Sequence, residues 1–320
     1  MDRGAGIARG NGLAEALAGV AGLKVRPGER LGRHTTFGIG GPAELFVEVG
    51  SQTALVTLLR AVRSSGMPFF LLGLGSNVLI PDAGVAGVVA KLGGELRRVR
   101  VRGELVGVGG ALPLGLLARR MAARGLVGLE AISGFPSTVG GAVCMNAGSY
   151  GTEVKDVLIR VSVVERDGTP RRLSTAELEP RYRSTSLQRS GAVVTRAVLR
   201  LTPGDPQAAL ARIEELNRKR WASLPSGQPN AGSIFKNPPG DHAGRLLELA
   251  GMKGVRQGGA EVSAKHANVI VNAGGATAED VFSLMVEMHR AVAERFDVRL
   301  EPEIVLVGVL RRRWTEATGG

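Results

Sequence analysis

Residues 128–151 read GLEAISGFPSTVGGAVCMNAGSYG, with six glycines in 24 positions and no carboxylate after Glu130. A stretch this rich in small residues lets backbone N–H groups come close to a ligand, because an absent Cβ removes the steric barrier and turn geometry aims the amides together. Two shorter segments are of the same kind: 38–42 (GIGGP), and 73–77 (GLGSN), which follows an apolar strand-like run. Loops of this sort make Gly73, Gly75, Ser76, Asn77, Gly134, Pro136, Thr138, Gly140, Gly141 and Ala142 the candidates for touching a diphosphate. Taken singly, each loop reads more readily as a mere turn. Neither Gly73-Leu74-Gly75 nor Gly107-Val108-Gly109 completes a G-x-G-x-x-G, and no G-x-x-x-x-G-K-[ST] or G-x-S-x-G is present, which excludes the Rossmann, P-loop and serine-hydrolase readings.

Working outward, residues 54–62 and 68–72 read as helix and strand on hydrophobic periodicity. Short β segments follow at 87–92, 97–102 and 105–108, then a helix over 113–124 and strands at 158–166 and 192–201. A charged amphipathic helix spans 206–221, and the composition breaks behind it at 225–229. Beyond lie a helix at 243–249, a strand at 267–271, a long helix over 279–295 with Thr277 as N-cap, and a strand at 304–310. The expected organisation is an N-terminal segment (1–29) with a frayed start and one short amphipathic helix, a body over 30–204 divided near 93, a further domain over 205–310, and an unstructured tail over 311–320. The fold class is α+β.

The chain has 320 residues, 44% hydrophobic, 22% charged and only 4% aromatic. Its 47 glycines are about twice the usual share of roughly 7%. Forty-one bases against 29 acids give a net charge of +12, which suits polyanionic ligands. The bases are mostly arginine, are spread along the chain and lack interleaved aromatics, so charge alone is weak support for nucleic-acid binding. One cysteine, Cys144, excludes an intrachain disulfide framework and points to a reducing, cytoplasmic setting. It reads as a small buried residue rather than a nucleophile. The four histidines show no metal-binding spacing, so no metal is expected, and no apolar run is long enough for membrane insertion.

Seven segments together carry a resemblance: 35–37 (TTF) running into 40–42, 73–79 (GLGSNVL), 128–151, Tyr182-Arg183, 230–238 (NAGSIFKNP), 266–272 and 300–308 (LEPEIVLVG). In order and spacing they resemble the UDP-N-acetylenolpyruvoylglucosamine reductases of bacterial cell-wall synthesis over about residues 30–308. The resemblance implies an FAD-binding fold of the vanillyl-alcohol-oxidase (PCMH) type, made of two subdomains, followed by a C-terminal α+β substrate-binding domain. It implies non-covalent FAD, although His34 invites comparison with the histidine-linked flavins of the wider fold. NADPH is implied as co-substrate, with hydride passing to C3 of an enolpyruvyl ether and a proton to C2. The implied ligands are a UDP-linked anionic sugar and NADPH, with no nucleic acid and no obligate protein partner.

Such a reaction needs a fixed cation for the developing enolate and a proton donor near C2. The resemblance carries these roles to Arg183 and Ser233, with Glu303 as the acidic partner, and makes Tyr182, Lys236 and Asn237 substrate-binding candidates. The plain structural alternatives are a solvated arginine, a turn or N-cap serine and a strand-edge carboxylate. An unperturbed hydroxyl is a poor acid, so Ser233 needs either help from its neighbours or a strongly basic carbanion. Phe135 and Ser137 depart from the expected smaller or aliphatic residues. No lysine precedes 230–238 in the position some members use for the diphosphate; Lys219 or Arg220 are the substitutes. Only two tyrosines occur, both inside motifs, and 51 residues separate Tyr182 from Ser233, which favours the subclass lacking a tyrosine-bearing loop (type II). The rival readings are an FAD-dependent oxidase or dehydrogenase of other specificity, and a nucleic-acid-binding protein.

Overall fold

The computed structural model describes residues 3–225 and 227–319, which divide into two compact units. The first takes in residues 3–27, Leu45–Leu74 and Gly87–Lys219; the second takes in Gly28–Glu44, Gly75–Ala86 and the described residues from Arg220 onward. The sequence places a boundary near 204, where strand Thr202–Pro203 gives way to helix Pro206–Ser223, whereas the two units part within that helix.

Among the described residues, the first unit holds two larger sheets beside two two-stranded pairings, and the break in sequence between the larger two falls between strands Val85–Leu92 and Val99–Arg102. One sheet has the order Leu23–Pro27, Ala43–Val49, Val85–Leu92, Phe69–Leu71. Helix Gln52–Ser65 covers it. The Ser51 hydroxyl accepts the Ala54 amide at 3.1 Å to start this helix, and Gly66 at φ 64° ends it. Leu55, Leu58, Leu59 and Val62 recur at helical spacing and are buried with Leu45, Val47 and Val88. Each such side chain contributes about 1.5–3 kcal/mol relative to exposure. The segment expected to hold a short helix forms Arg3–Leu17, whose Leu13 and Leu17 join the same core. Of the frayed start, residues 1 and 2 lie outside the described residues.

The second sheet is antiparallel throughout, in the order Pro170–Ser174, Leu158–Val164, Val193–Arg200, Leu105–Gly109, Val99–Arg102. Helices Leu114–Ala122 and Val139–Cys144 bury Leu117, Met121, Val139 and Val143 with Val106, Val161, Val163 and Ala197. The quoted 128–151 stretch is therefore a loop, a short helix and a second loop laid against the sheet core.

In the second unit, helix Ala278–Phe296 is the centre. Thr277 is its N-cap, as the sequence indicates: its hydroxyl accepts the Asp280 amide at 3.1 Å and the Asp280 carboxylate accepts the Thr277 amide at 2.9 Å. Asp82 adds its own carboxylate to the Ala278 amide at 3.0 and 2.9 Å. Val281, Leu284, Met285, Met288 and Val292 face a core shared with helix Ala243–Leu249 and with Ala260, Val262 and Ile270 of a three-stranded antiparallel sheet.

Two expectations are corrected here. The strand expected over 304–310 is only Val305–Leu306, paired in parallel with Val78–Leu79, because Gly308 at φ 60° turns the chain out of the extended region. The tail is not unstructured: Val309–Thr318 is a helix. Trp314, 8% exposed, packs within 5.9 Å of the Phe235 ring, 6.4 Å of Phe282 and 5.3 Å of His289, while Arg313 pairs with both Glu279 carboxylate oxygens at 2.7 Å. The charged run 311–313 hides this in the sequence, since only Leu310 and Trp314 mark the buried face.

Trp314→Ala should lower the unfolding free energy by about 3 kcal/mol through the cavity it leaves, whereas Arg312→Ala, at an exposed site, should change it by less than about 0.5 kcal/mol. Urea unfolding followed by circular dichroism reads both, and equal midpoints would mean that this helix contributes no packing.

Candidate active site

The segments singled out in the sequence fall in both units, each with its own local construction. In the first unit, Thr138 caps helix Val139–Cys144 by accepting the Gly141 amide at 3.1 Å. A Cβ on Gly73 would meet the Thr138 hydroxyl at 3.3 Å, and one on Gly141 would meet Ser137 Oγ at 3.2 Å, so the small residues let these loops nest. Leu72, Ile132, Ser133, Val139 and Ala142 are buried, yet Gly73, Gly134, Ser137, Thr138, Gly140 and Gly141 keep open surface and Pro136 is exposed. Backbone thus stands at the surface on a buried support, with no acidic side chain in 134–142 to repel a phosphate. The residues present fit a flavin dinucleotide.

Tyr182 and Arg183, also in the first unit, occupy the tip of a tight turn, and the Arg183 guanidinium lies 4.9 Å over the Tyr182 ring. Tyr182 is exposed and Arg183 half-buried.

In the second unit the chain returns through Gly75, Ser76 and Asn77. Gly75 is a packing requirement: at φ +67° its Cβ would stand 2.1 Å from the His34 carbonyl oxygen. Asn77 spends a side-chain donor inside the protein, on the Glu303 carbonyl at 3.1 Å, while its own carbonyl accepts the Val305 amide at 3.0 Å. The Glu303 amide in turn donates to the Ile234 carbonyl at 2.8 Å, so the segment that follows Ser233 is bonded to the one that carries Glu303. Both side chains are half-buried.

A residue that the sequence reading missed holds this arrangement. Asn268, 3% exposed, accepts the Phe235 amide on Oδ1 at 2.9 Å and donates Nδ2 to the Phe235 carbonyl at 2.8 Å, and its backbone carbonyl takes the Ile234 amide at 2.9 Å. The signal was present in the 266–272 motif, but the strand expected at 267–271 is in fact Ile270–Asn272, because Asn268 is committed to 234–235 instead of a ladder.

Lys236 pairs with Glu301 at 3.0 Å, and Asn237 accepts the Ala243 amide at 3.1 Å at the start of helix Ala243–Leu249. Lys219 pairs with Glu215 at 2.6 Å. His34 meets Glu29 at 2.9 Å. Burial pushes the His266 imidazole below its usual range. Among the described residues no cluster of potential metal ligands occurs, and no helix is long and apolar enough to cross a membrane.

Comparison with known proteins accords with both halves. Residues 43–174 match the model of an FAD binding domain, and residues 224–307 match that of the UDP-N-acetylenolpyruvoylglucosamine reductase C-terminal domain. The chain is 47% identical to UDP-N-acetylenolpyruvoylglucosamine reductase 2 of Symbiobacterium thermophilum, over 89% of this chain and 92% of that protein. It is 38% identical to the Bacillus subtilis reductase over 89% and 94%. The crystal structure of UDP-N-acetylenolpyruvylglucosamine reductase from Thermus caldophilus superposes with a TM-score of 0.78 at 38% identity, covering 89% of this chain and all of that one.

Open small-residue loops on an α+β scaffold with an FAD-binding domain define a flavoenzyme, an FAD-containing oxidoreductase. More narrowly, the chain belongs to the UDP-N-acetylenolpyruvoylglucosamine reductase family.

Cys144 ends the helix that Thr138 begins. The residue is half-buried, but its sulfur packs against the sheet core, and desolvation pushes the thiol up to about 11. A raised pKa means that the neutral, unreactive thiol persists at all lower pH. The folded protein should therefore resist iodoacetamide at pH 8, while protein unfolded in guanidinium is alkylated within minutes. Mass spectrometry after timed quenching checks this, and equal labelling of both states would contradict the burial.

Proposed function

We propose that this protein reduces the enolpyruvyl group of UDP-N-acetylglucosamine enolpyruvate to give UDP-N-acetylmuramate, with NADPH as reductant, in the cytoplasmic stage of peptidoglycan synthesis. The observation that supports this best is the backbone bonding of the Ile234–Lys236 segment, next to Ser233, to the Glu301–Glu303 segment beside the Asn268 latch, inside the stretch that matches the reductase C-terminal domain. The chemistry supplied by non-covalent FAD, when bound, is hydride transfer from NADPH to C3 of the enolpyruvyl ether. Hydride at C3 and a proton at C2 saturate the double bond, and NADPH leaves as NADP+.

The chain's own residues then have three tasks. The Arg183 guanidinium stabilises negative charge as the substrate carboxylate becomes enolate-like, an interaction stronger in the transition state than in the ground state. The Ser233 hydroxyl delivers the proton to C2. An α-carboxy carbanion is basic enough to take a proton from a weak acid, and Glu303 is the partner that orients or replenishes the hydroxyl. Gly73, Ser76, Asn77 and the 134–142 loop are assigned to the flavin, while buried Gly75 serves the close approach of its loop to the His34 carbonyl. Tyr182, Lys236 and Asn237 are assigned to the nucleotide sugar. The Lys236–Glu301 pair is partly exposed, with side-chain exposures of 35% and 75%, so it is worth only about 0–1 kcal/mol and a diphosphate oxygen can replace Glu301 at little cost. The absence of a third tyrosine supports the type II subclass.

The direct test is NADPH oxidation that depends on UDP-N-acetylglucosamine enolpyruvate; indifference to that nucleotide would sink the reading. Arg183→Ala should slow reoxidation of the reduced flavin by this substrate about a hundredfold or more while leaving reduction by NADPH nearly intact. Rapid-mixing absorbance separates the half-reactions, and equal slowing of both would mean damage to the flavin site.

Ser233→Ala should also impair the oxidative half-reaction far more than the reductive one, because a group that protonates C2 has no task until the substrate has accepted hydride. Ser233→Cys should keep part of the activity, since a thiol also donates. Reoxidation of Ser233→Ala at the parental rate would pass the role to Glu303 or to water.

A further inference from the structure

Arg183 is one of the few non-glycine residues held at positive φ, at +55°, a conformation that the Cβ disfavours. The turn carrying it is short: the Arg181 amide donates to the Ser184 carbonyl at 2.9 Å and the Ser184 amide to the Arg181 carbonyl at 3.1 Å, leaving Tyr182 and Arg183 at the tip. A two-residue turn of this kind at an exposed tip relaxes unless its flanks are fixed.

Both flanking carbonyls are fixed by carboxamides. On one side stands Asn146, 1% exposed and itself at φ +40°. Its Nδ2 donates to the Arg181 carbonyl at 3.2 Å and to Glu153 Oε2 at 3.0 Å, and its Oδ1 accepts the Lys155 amide at 3.1 Å. Both N–H donors and the carbonyl oxygen of a buried amide are thereby engaged. On the other side Gln188, exposed, donates Nε2 to the Arg183 carbonyl at 3.1 Å and reaches the Cys144 carbonyl at 3.3 Å and Met145 Sδ at 3.0 Å. Thr185 adds its hydroxyl to the same Cys144 carbonyl at 2.8 Å. The segment 144–146 to which these bonds run is the end of the helix that starts at Thr138 in the flavin-binding loop.

We propose that Asn146 and Gln188 are positioning residues for Arg183, clamping the carbonyls on either side of the Tyr182-Arg183 tip so that its strained backbone aims the guanidinium at the substrate. This rests on the reading of Arg183 given above. The clamp carries register from the 134–146 stretch to the arginine, so the group that meets the enolate and the loop that holds the flavin share one rigid support. Gln188 makes the case most clearly. At an exposed position it adds little to the core, yet its Nε2 joins the Arg183 carbonyl to the Cys144 carbonyl at the end of helix Val139–Cys144.

The test uses the FAD-loaded enzyme with Gln188→Ala, Gln188→Glu and Asn146→Ala. The glutamate keeps the shape but, ionised, can only accept, so it should behave as the alanine does. Each variant should reoxidise with UDP-N-acetylglucosamine enolpyruvate about tenfold more slowly, the loss falling on kcat rather than KM, as expected when a group is misplaced rather than removed. Reduction by NADPH should stay within about twofold. In an Arg183→Ala background none of the three should add more than about twofold, because a residue acting through Arg183 has nothing left to position. Independently of activity, amide hydrogen exchange over residues 181–185 should quicken in each variant.

Unchanged reoxidation in both Gln188 variants, or a loss of the same size in the Arg183→Ala background, would overturn the proposal. If Asn146→Ala fails to fold, the Gln188 pair decides alone. Should Arg183→Ala itself reoxidise at the parental rate, the reading of Arg183 falls and the proposal with it; should it be slow while the clamp variants are not, only the proposal falls.

Discussion

One buried carboxamide governs the second unit's share of the site. Asn268 grips Phe235 through both its acceptor and its donor, and its carbonyl takes the Ile234 amide. That fixes the backbone from which the Ile234 carbonyl reaches the Glu303 amide and the Lys236 amide reaches the Glu301 carbonyl. Removing one partner from a buried, satisfied amide leaves others orphaned at about 1–3 kcal/mol each. The bonding of the Ile234–Lys236 segment to the Glu301–Glu303 segment therefore depends on a side chain whose own hydrogen bonds all go to backbone. The Phe235 ring, pinned by this latch, also forms part of the wall against which Trp314 and the C-terminal helix pack.

Amide side chains recur as the joinery of the molecule. Asn77 holds the Glu303 carbonyl, Asn146 the Arg181 carbonyl, and Asn272 the Phe37 carbonyl at 3.2 Å. A carboxamide both donates and accepts without a charge to desolvate, so it can tie an irregular backbone that no sheet or helix satisfies, at lower cost than an ion pair in the same place. In an enzyme whose ligands are anions this has a second merit. Buried carboxylates serving the same purpose would add negative potential, whereas amides leave the excess of arginine to set the field.

The glycines divide between two duties that composition alone cannot separate. Gly75 is required by its neighbour, with the His34 carbonyl where a Cβ would be, and Gly41 stands in the same relation to the Asp82 carbonyl, 2.1 Å away. Gly140 and Gly141, by contrast, keep accessible surface at the head of a capped helix. The first kind closes the protein on itself, and the second leaves backbone accessible at the surface. In the sequence both look like small-residue loops at strand ends.

Read from the sequence alone, the long periodic elements were legible. Helices at 52–65, 243–249 and 278–296 and the strands of the larger antiparallel sheet follow from local spacing, capping and β-branching, which are properties of neighbouring residues. So were the small-residue loops and, through seven co-occurring motifs, the family. The C-terminal helix was not legible, since its burial rests on one tryptophan meeting Phe235, Phe282 and His289 from distant parts of the chain. Nor were the roles of Asn268, Asn146 and Gln188, which look like ordinary polar residues until hydrogen bonds spanning 33, 35 and 44 positions show what they hold. The sequence by itself determined which elements form and which chemistry the chain carries; only the tertiary structure decided which polar groups support it, because a hydrogen bond between distant residues leaves no periodicity to read.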